Sequence, residues 1–503
     1  MTKNKDIFCG CTWFFFDLCF FEVMGVNVLP SCMVGVCLRS KRDVFGRANL
    51  KIQQRLALMF LIVFLCGMFT GCSFQPPYHQ PSVDIPKKWP HTKSSHQAAE
   101  HRVINLKKTR WWKQYHQQSL NCLMKQVLHE NNSLKQSIVN IDYAQKELTR
   151  IKLNWLPNAS LLGGISQFPI LANPGGFALA APLYVINIFQ QYQQQKSTQQ
   201  MVFASIYAKD AATLMIISQV ASSYFTLIAE KEAIVLYQRL LDDLQTDYTL
   251  SKARYHYGLI SKDGMAMIKS RIEAVRAELT LVQNNIVLSQ NALRALMNEN
   301  PGDLDIQDSF NDLNSAAIIP ENIPLNVIQN RPDVKKQEAI LKSGYANVSA
   351  AIANLLPTVT VGAYLGSGTT SHGPFRLIEA YPVLPIDLAL YPNIGAHKAQ
   401  FKSLYFEYIN TVRMALRDID DSLSTYHQRT AQLIHLQLSL KEEERHCHWT
   451  EKRFKYGIVN QSEVSQCQIK LDELHIFINQ TKLEKMISIV KLYQDFAGGY
   501  YVS

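Results

Sequence analysis

The feature that most constrains this sequence is an internal duplication with a period of about 200 residues. The segments that begin at Asn131 and at Arg331 both have a helical pattern. They end in the similar sequences Asn154-Trp155-Leu156-Pro157 and Asn354-Leu355-Leu356-Pro357. Self-similarity at a fixed period indicates that one structural plan has been used twice. Both copies must therefore fit the same fold.

Each copy continues into a predicted β-hairpin. Apolar and polar residues alternate after each proline, as in a strand with one apolar face. The apolar positions are Ala159, Leu161 and Ile165 in the first copy and Val359, Val361, Ala363 and Leu365 in the second. Loops rich in Gly and Pro over residues 169–181 and 366–382 then lead to second strands predicted near 183–189 and 384–391.

The last predicted strand has the pattern of a membrane barrel. Ile386, Leu388 and Leu390 alternate with Asp387 and Ala389, which would place apolar side chains outside and small or polar ones inside. Four such strands cannot close a barrel, since the smallest known need about eight. An open sheet edge exposed to lipid is not tolerated, so the sequence predicts an oligomer.

A very long helix follows each hairpin. The two stretches cover about 190–255 and 397–456 and contain no proline, so at about 1.5 Å per residue each reaches roughly 100 Å. They end in the matching sequences Arg254-Tyr255-His256-Tyr257-Gly258 and Arg453-Phe454-Lys455-Tyr456-Gly457. Glycine after a helical run stops a helix. Gly258 and Gly457 are therefore predicted to turn two helical hairpins whose second arms run back.

Residues 51–71 have the layout of a lipoprotein signal peptide. Lys51 and Arg55 precede an apolar run of 14 residues that ends shortly before Cys72. A helix of that length is too short for the roughly 30 Å hydrocarbon core. Small residues just before a cysteine resemble the bacterial lipobox, in which the cysteine becomes the acylated first residue. Cys72 is the predicted lipid attachment site, and residues 72–110 are a predicted tether.

Residues 1–50 do not fit this plan, because they precede a signal peptide that should come first. An over-extended translation start explains them, and a transmembrane anchor is the alternative. The rest of the chain divides into a first repeat over 111–315 and a second repeat over 316–503.

Composition excludes several classes of function. The net charge of +10 forms no basic run, so no nucleic acid is expected as a partner. Seven of the ten cysteines lie in the first 72 residues, so no disulfide framework is predicted. His446, Cys447 and His448 are adjacent, but consecutive side chains on a helix diverge by about 100°. No metal site and no cofactor are therefore expected.

Three motifs resemble the TolC-like outer-membrane efflux proteins, and in particular the lipoprotein branch that serves resistance-nodulation-division (RND) pumps. Trp111-Trp112 with Tyr115 is similar to the opening motif of that branch. Arg331-Pro332-Asp333-Val334 is similar to its mid-chain signature, and Leu492-Tyr493 with Gly498-Gly499 to its closing one. Ala497 and Tyr500 depart from the closing signature, where Gly and Trp are usual.

The resemblance implies a mainly α fold with a small membrane β-barrel. In this family a homotrimer forms an α-helical barrel and a 12-stranded β-barrel, with four strands from each chain. It implies docking to a periplasmic adaptor and an inner-membrane RND transporter, and contact with outer-membrane lipids. A periplasmic gate is implied at Glu463, Gln466 and Phe454. Gln466 departs from the family pattern, which has an Asp there.

The expected function is a passive outer-membrane channel for small-molecule export. The chain has no P-loop, no H-E-x-x-H motif and no nucleophile elbow, so an enzyme is not predicted. Two alternatives remain: a duct for type I protein secretion, which shares the fold, and a periplasmic coiled-coil scaffold that never enters a membrane.

Overall fold

The computed structural model describes residues 78–82, 110–166, 175–313, 325–368 and 374–497. The first repeat opens with a short 3-10 helix at Trp111–Tyr115 and continues through helices, a pair of strands and two long helices. Its elements are α1 (Gln118–Glu130), α2 (Asn132–Leu153), β1 (Asn158–Ser166), β2 (Gly175–Ile186), α3 (Ile188–His256) and α4 (Lys262–Leu296).

The described part of the second repeat follows the order of the first from α2 onward, without a counterpart of the full helix α1. A 3-10 helix at Leu325–Asn330 precedes α5 (Pro332–Ala353), β3 (Thr358–Gly368), β4 (Pro374–Val383), α6 (Leu390–Lys455) and α7 (Gln461–Asp495). Helices α2 and α5 each have 22 residues, and α4 and α7 each have 35. The predicted duplication is therefore present in the fold as well as in the sequence.

The four strands form one antiparallel sheet in the order β1-β2-β3-β4. The two hairpins are joined through β2 and β3, which pair Phe177 with Gly368 at one end and Ile186 with Val359 at the other. Within the described part of the chain, β1 and β4 each pair with one strand only. The sheet therefore has two open edges.

The predictions for the second strand of each hairpin were wrong in position. Strand β4 covers Pro374–Val383, which was predicted as loop, and residues 384–389 are not in a strand. Pro385 has no N–H to donate to a ladder, and the Asp387 carboxylate accepts a hydrogen bond of 2.8 Å from the Ala389 N–H. This turn starts α6 at Leu390, seven residues earlier than predicted.

The first hairpin shows the same error on a smaller scale. Strand β2 ends at Ile186, and Asn187 caps α3 by accepting from the Gln190 N–H at 3.0 Å. The Asn187 amide also donates to the Ala353 carbonyl at 2.7 Å. One buried side chain thus ends the strand, starts the helix and ties α3 to the end of α5.

Helix α3 is the central element of the helical part. It packs against α2, α4, α5 and α7, and its 69 residues extend over about 100 Å. Among the described residues it is the one helix whose length and composition would suit a membrane span. Its apolar stretch is mostly buried against the other helices, as expected for a core helix.

The largest apolar cluster lies where the ends of both repeats meet the middle of α3. Trp111 stacks on Tyr493 with ring centroids 4.8 Å apart, and Tyr115 meets Phe225 edge to face at 5.2 Å. All four side chains belong to one buried cluster. The opening and closing motifs of the sequence are therefore packing partners.

In each repeat, the residue just before the 22-residue helix is bonded to the end of the last long helix. Asn131 caps α2 and donates from its amide to the Leu296 carbonyl at 2.8 Å. At the equivalent position of the second copy, Arg331 donates to the Asp495 carbonyl at 3.1 Å. Each repeat is thus closed on itself by a side chain at its start.

Residues 78–82 are the part of the predicted tether that the structure describes. Tyr78 packs edge to face on Tyr345 at 5.7 Å, and the Gln80 amide donates to the Tyr408 hydroxyl at 2.9 Å. This segment therefore lies along α5 and α6.

Candidate functional site

Two equivalent turns form the ends of the helical hairpins. Gly258 has a φ of +69° and Gly457 a φ of +70°, a region that glycine adopts without a Cβ penalty. The Leu259 N–H donates to the Arg254 carbonyl at 2.8 Å, and the Ile458 N–H to the Arg453 carbonyl at 2.9 Å. Both turns are Schellman motifs, so the two repeats reverse direction by the same backbone hydrogen bonds.

The returning helices also start in the same way. The Ser261 hydroxyl accepts from the Gly264 N–H at 3.2 Å, and the Asn460 side chain accepts from the Glu463 N–H at 3.1 Å. Glu463 therefore sits in the first turn of α7, where a carboxylate is favoured by the helix dipole.

The predicted gate residues all lie beside the turn at Gly457. Glu463 and Gln466 are exposed and three residues apart on α7, so they share one face. Ser462 and Ser465 are buried on the packed side. Phe454 is 40% exposed at the end of α6, and the Glu463 carboxylate lies 3.9 Å from the Arg453 guanidinium. Within one chain, the side chains of Glu463, Gln466 and Phe454 are therefore accessible and lie around the turn at Gly457.

The two tips expose apolar side chains. Tyr257 and Leu259 flank Gly258, Tyr456 and Ile458 flank Gly457, and all four are more than 65% exposed. The turns were predicted from the sequence, but these side chains were not. The sequence contains a signal for them, because in both repeats an apolar residue stands directly before and directly after the turn glycine.

Behind the tips, buried polar contacts join the two repeats. The Ser462 hydroxyl donates to the Asp247 carboxylate at 3.3 Å, and both side chains are buried. Burial raises the pKa of Asp247. Farther along α7, burial first, and then the neighbouring Asp243 carboxyl, raise the pKa of Asp472 to about 7. Sequence reasoning missed these contacts, since they join residues more than 200 positions apart.

Two contacts of cysteine and histidine were not expected from the sequence. A disulfide links Cys447 on α6 to Cys467 on α7. Moreover, His446 and Cys447 both lie close to Cys467 of the neighbouring helix: Cys447 is bonded to it, and the His446 Nδ1 atom is 3.7 Å from its sulfur. Divergence on one helix does not prevent convergence on a residue of another. His448 is not part of this cluster.

The predicted lipid attachment site, Cys72, lies outside the described residues, as do Gly498 and Gly499 of the closing motif.

Comparison with known proteins accounts for both repeats. The family model described as "Outer membrane efflux protein" matches residues 123–299 and 323–494. The probable efflux pump outer membrane protein TtgC of Pseudomonas putida is 22% identical over 89% of this chain and 96% of its own length. The probable outer membrane lipoprotein SilC of Salmonella typhimurium is 21% identical over 88% of this chain and 99% of its own.

The fold agrees with these matches. The open state of the Neisseria gonorrhoeae MtrE outer membrane channel superposes with a TM-score of 0.71 at 21% identity, covering 85% of this chain and 99% of that one. The family model covers more than two thirds of the sequence, and both of its matched segments coincide with the structural repeats. The chain therefore belongs to the outer membrane efflux protein family, whose TolC-like members are channels and not enzymes.

Proposed function

We propose that this chain is the outer-membrane channel of a tripartite efflux system and that three copies form one continuous conduit for small molecules. The observation that carries the proposal is the four-stranded sheet with two open edges, attached to helices of about 100 Å. Three chains would supply twelve strands. That number closes a barrel, and it joins the β4 edge of one copy to the β1 edge of the next.

Exposed apolar side chains at the junction of sheet and helices support insertion in a membrane. Ile386 is 92% exposed and Leu388 is 82% exposed just before α6. On the first repeat, Val185, Ile188 and Phe189 are exposed at the corresponding place. Large apolar side chains are rarely left in water in such number. Lipid and the neighbouring copies of the chain would cover them.

The decisive experiment is reconstitution of the detergent-extracted protein in a planar lipid bilayer. We expect a trimer that dissociates on heating in detergent and that conducts ions in discrete steps. A monomer that stays in aqueous solution without detergent and never conducts would favour the periplasmic scaffold instead.

The family resemblance assigns the closed end of the conduit to Glu463, Gln466 and Phe454. In a trimer three Glu463 carboxylates would surround one axis, where they would repel one another and attract cations. The double variant Glu463→Ala with Gln466→Ala should raise or de-rectify single-channel conductance. The matched control is Glu442→Ala, which removes an exposed carboxylate from α6. Unchanged conductance in the double variant would remove these residues from the gate.

Lipid attachment at Cys72 is part of the proposal. The lipobox-like sequence before Cys72 supports it, and the relative SilC is described as a probable lipoprotein. Cys72→Ser should abolish incorporation of labelled fatty acid. Persistent labelling in the variant would refute the anchor at this position.

The apolar side chains at the helical tips fit a periplasmic adaptor that joins the channel to an inner-membrane RND transporter. Leu259→Glu combined with Ile458→Glu should abolish dye efflux in cells that rely on this channel, because charge at both tips would oppose an apolar contact. Conductance in the planar bilayer should stay at the level of the unchanged protein.

Secretion of a protein substrate by cells that supply a type I export system would support the alternative duct.

A further inference from the structure

Two cysteines face each other across the second helical hairpin. Cys447 lies on α6, ten residues before Gly457, and Cys467 lies on α7, ten residues after it. Their Cα atoms are 5.6 Å apart, which suits a disulfide. Both side chains are buried, at 6% and 5% exposure. The pair therefore joins the two arms of the hairpin close to its tip.

The first hairpin fills the equivalent positions with ordinary apolar residues. Tyr248 lies ten residues before Gly258, and Ile268 lies ten residues after it. Both pack against the apolar cluster that contains Leu240 and Leu244. Packing at this level of the hairpin therefore does not require cysteine, and the sulfur pair of the second repeat calls for a different explanation.

Two further side chains complete a set of metal-binding groups. The His446 Nδ1 atom lies 3.7 Å from the Cys467 sulfur and 3.2 Å from the Glu443 carboxylate. The ligand atoms of Glu443, His446, Cys447 and Cys467 all lie within 4.8 Å of one another. The spacing of Glu443, His446 and Cys447 on α6 follows the helical repeat, so these three side chains lie on adjacent parts of one face.

These distances are close to those of a tetrahedral site. Zinc bonds of about 2.3 Å to sulfur and about 2.0 Å to nitrogen or oxygen place neighbouring ligand atoms about 3.3 to 3.8 Å apart. The two contacts of His446 already lie near this range. The remaining ligand atoms lie within 4.8 Å of one another, and the two sulfur atoms would have to separate from a bonded pair into two thiolates.

We propose that Glu443, His446, Cys447 and Cys467 form a redox-controlled Zn²⁺ site, which binds one ion when the cysteines are reduced and releases it when they form the disulfide. Two thiolates, an imidazole and a carboxylate are ligands that zinc accepts in a tetrahedral arrangement. On binding, the two thiols lose two protons and Zn²⁺ bonds to both sulfur atoms.

Oxidation reverses the process in a balanced step. The two zinc-bound thiolates form one S–S bond and give two electrons to a protein or small-molecule disulfide, which takes up two protons from water and becomes two thiols. The metal then loses both sulfur ligands. His446 and Glu443 reach solvent, with side-chain exposures of 61% and 26%, so the ion enters and leaves on their side while the buried sulfurs hold it from behind.

The test uses Co²⁺ as a visible substitute for Zn²⁺ on the protein extracted from the outer membrane, whose predicted mature form begins at Cys72. The protein is kept in detergent and reduced with a phosphine. Cys122→Ser is introduced throughout, because Cys122 is an exposed free thiol. We expect one cobalt-dependent absorption signal per chain, with thiolate-to-metal and tetrahedral bands that Zn²⁺ abolishes. Cys467→Ser should remove the signal. His446→Ala should weaken cobalt binding by at least about 10- to 100-fold, the loss that even an outer-shell group of a metal site causes.

His448→Ala is the matched control, since His448 is two residues from His446 and outside the cluster, and it should bind cobalt like the parent. The oxidised parent should bind none. Absence of a signal in the reduced parent, or equal affinity in the parent and in His446→Ala, would overturn the site. Channel conductance is not part of this readout, so failure here leaves the proposed function untouched, and the reverse also holds.

Discussion

Arg331→Met tests the idea that a side chain at the start of the second repeat holds the end of that repeat. The Arg331 guanidinium donates three hydrogen bonds to the Asp333 carboxylate, at 2.8, 3.1 and 3.3 Å, and lies 3.6 Å from the Asp495 carboxylate. Arg331 is 9% exposed and Asp495 is 5% exposed. Removing one partner of a buried ion pair costs about 3 to 5 kcal/mol, because the other charge stays buried without compensation.

The loss should depend on pH. Burial raises the pKa of Asp495 to about 6, although Ser422 and Arg331 act to lower it. A raised carboxyl pKa means that the folded chain binds the proton more tightly than the unfolded chain does. The stabilisation that this proton gives is therefore complete below the ordinary pKa of the Asp495 carboxyl in the unfolded chain. It is lost as pH rises through about 6, the pKa in the folded chain. Without Arg331 the pKa of Asp495 rises further, so the variant continues to lose stability at higher pH.

The measurement is urea unfolding of the detergent-solubilised protein at pH 5 and pH 8, followed by far-UV circular dichroism. We expect Arg331→Met to lose about 3 kcal/mol or more at pH 8 and clearly less at pH 5. Asp333→Asn is the control, because the Asp333 side chain is 43% exposed and such a pair contributes at most about 1 kcal/mol. Equal losses for Arg331→Met at the two pH values would refute the role of Asp495.

Three further predictions use the same unfolding assay. Gly457→Ala should lower the free energy of unfolding by about 1 to 2 kcal/mol, because φ is +70°. Crowding does not contribute, since a Cβ atom there would meet nothing within 4 Å. No change in stability would mean that the turn is not constrained. Trp111→Ala should lower the free energy of unfolding by about 3 to 5 kcal/mol, because Trp111 is buried. The control is Trp449→Ala at an exposed position, which should change it by no more than about 0.5 kcal/mol. Similar losses for both variants would contradict the role of the central cluster. Asp472→Asn should remove part of the fall in stability as pH rises through about 7; an unaltered pH profile would show that Asp472 does not hold the proton.

The helical part of the fold could be predicted from the sequence because its signals are local. The long helix α3 was placed within two residues at its start and one at its end, since no proline interrupts it and glycine ends it. The strands were harder. Apolar alternation from Ile386 to Leu390 indicated a strand, but Pro385 and the turn at Asp387 decide the structure there. A short alternating segment cannot by itself be told apart from the entry into a helix.

The candidate site was predictable to a similar extent. The glycine turns and the residues beside them follow from the repeat, because equivalent sequences form equivalent hairpins. The contact between Cys447 and Cys467, the buried carboxyls at Asp247 and Asp472, and the link from Arg331 to Asp495 depend on which helices pack together. A single sequence carries no direct signal for such pairings.

The order β1-β2-β3-β4 has a consequence for how a trimer would be assembled. Every chain would bring a contiguous third of the wall, with nine to twelve residues in each strand, so only three seams would form between different polypeptides. Before the trimer assembles, each chain carries two unpaired strand edges, and strands of other proteins could pair with them. Strand β4 contains Pro374 and Pro382, and proline at a border reduces such unwanted pairing. Newly made subunits would therefore be partly protected during the interval between export and assembly.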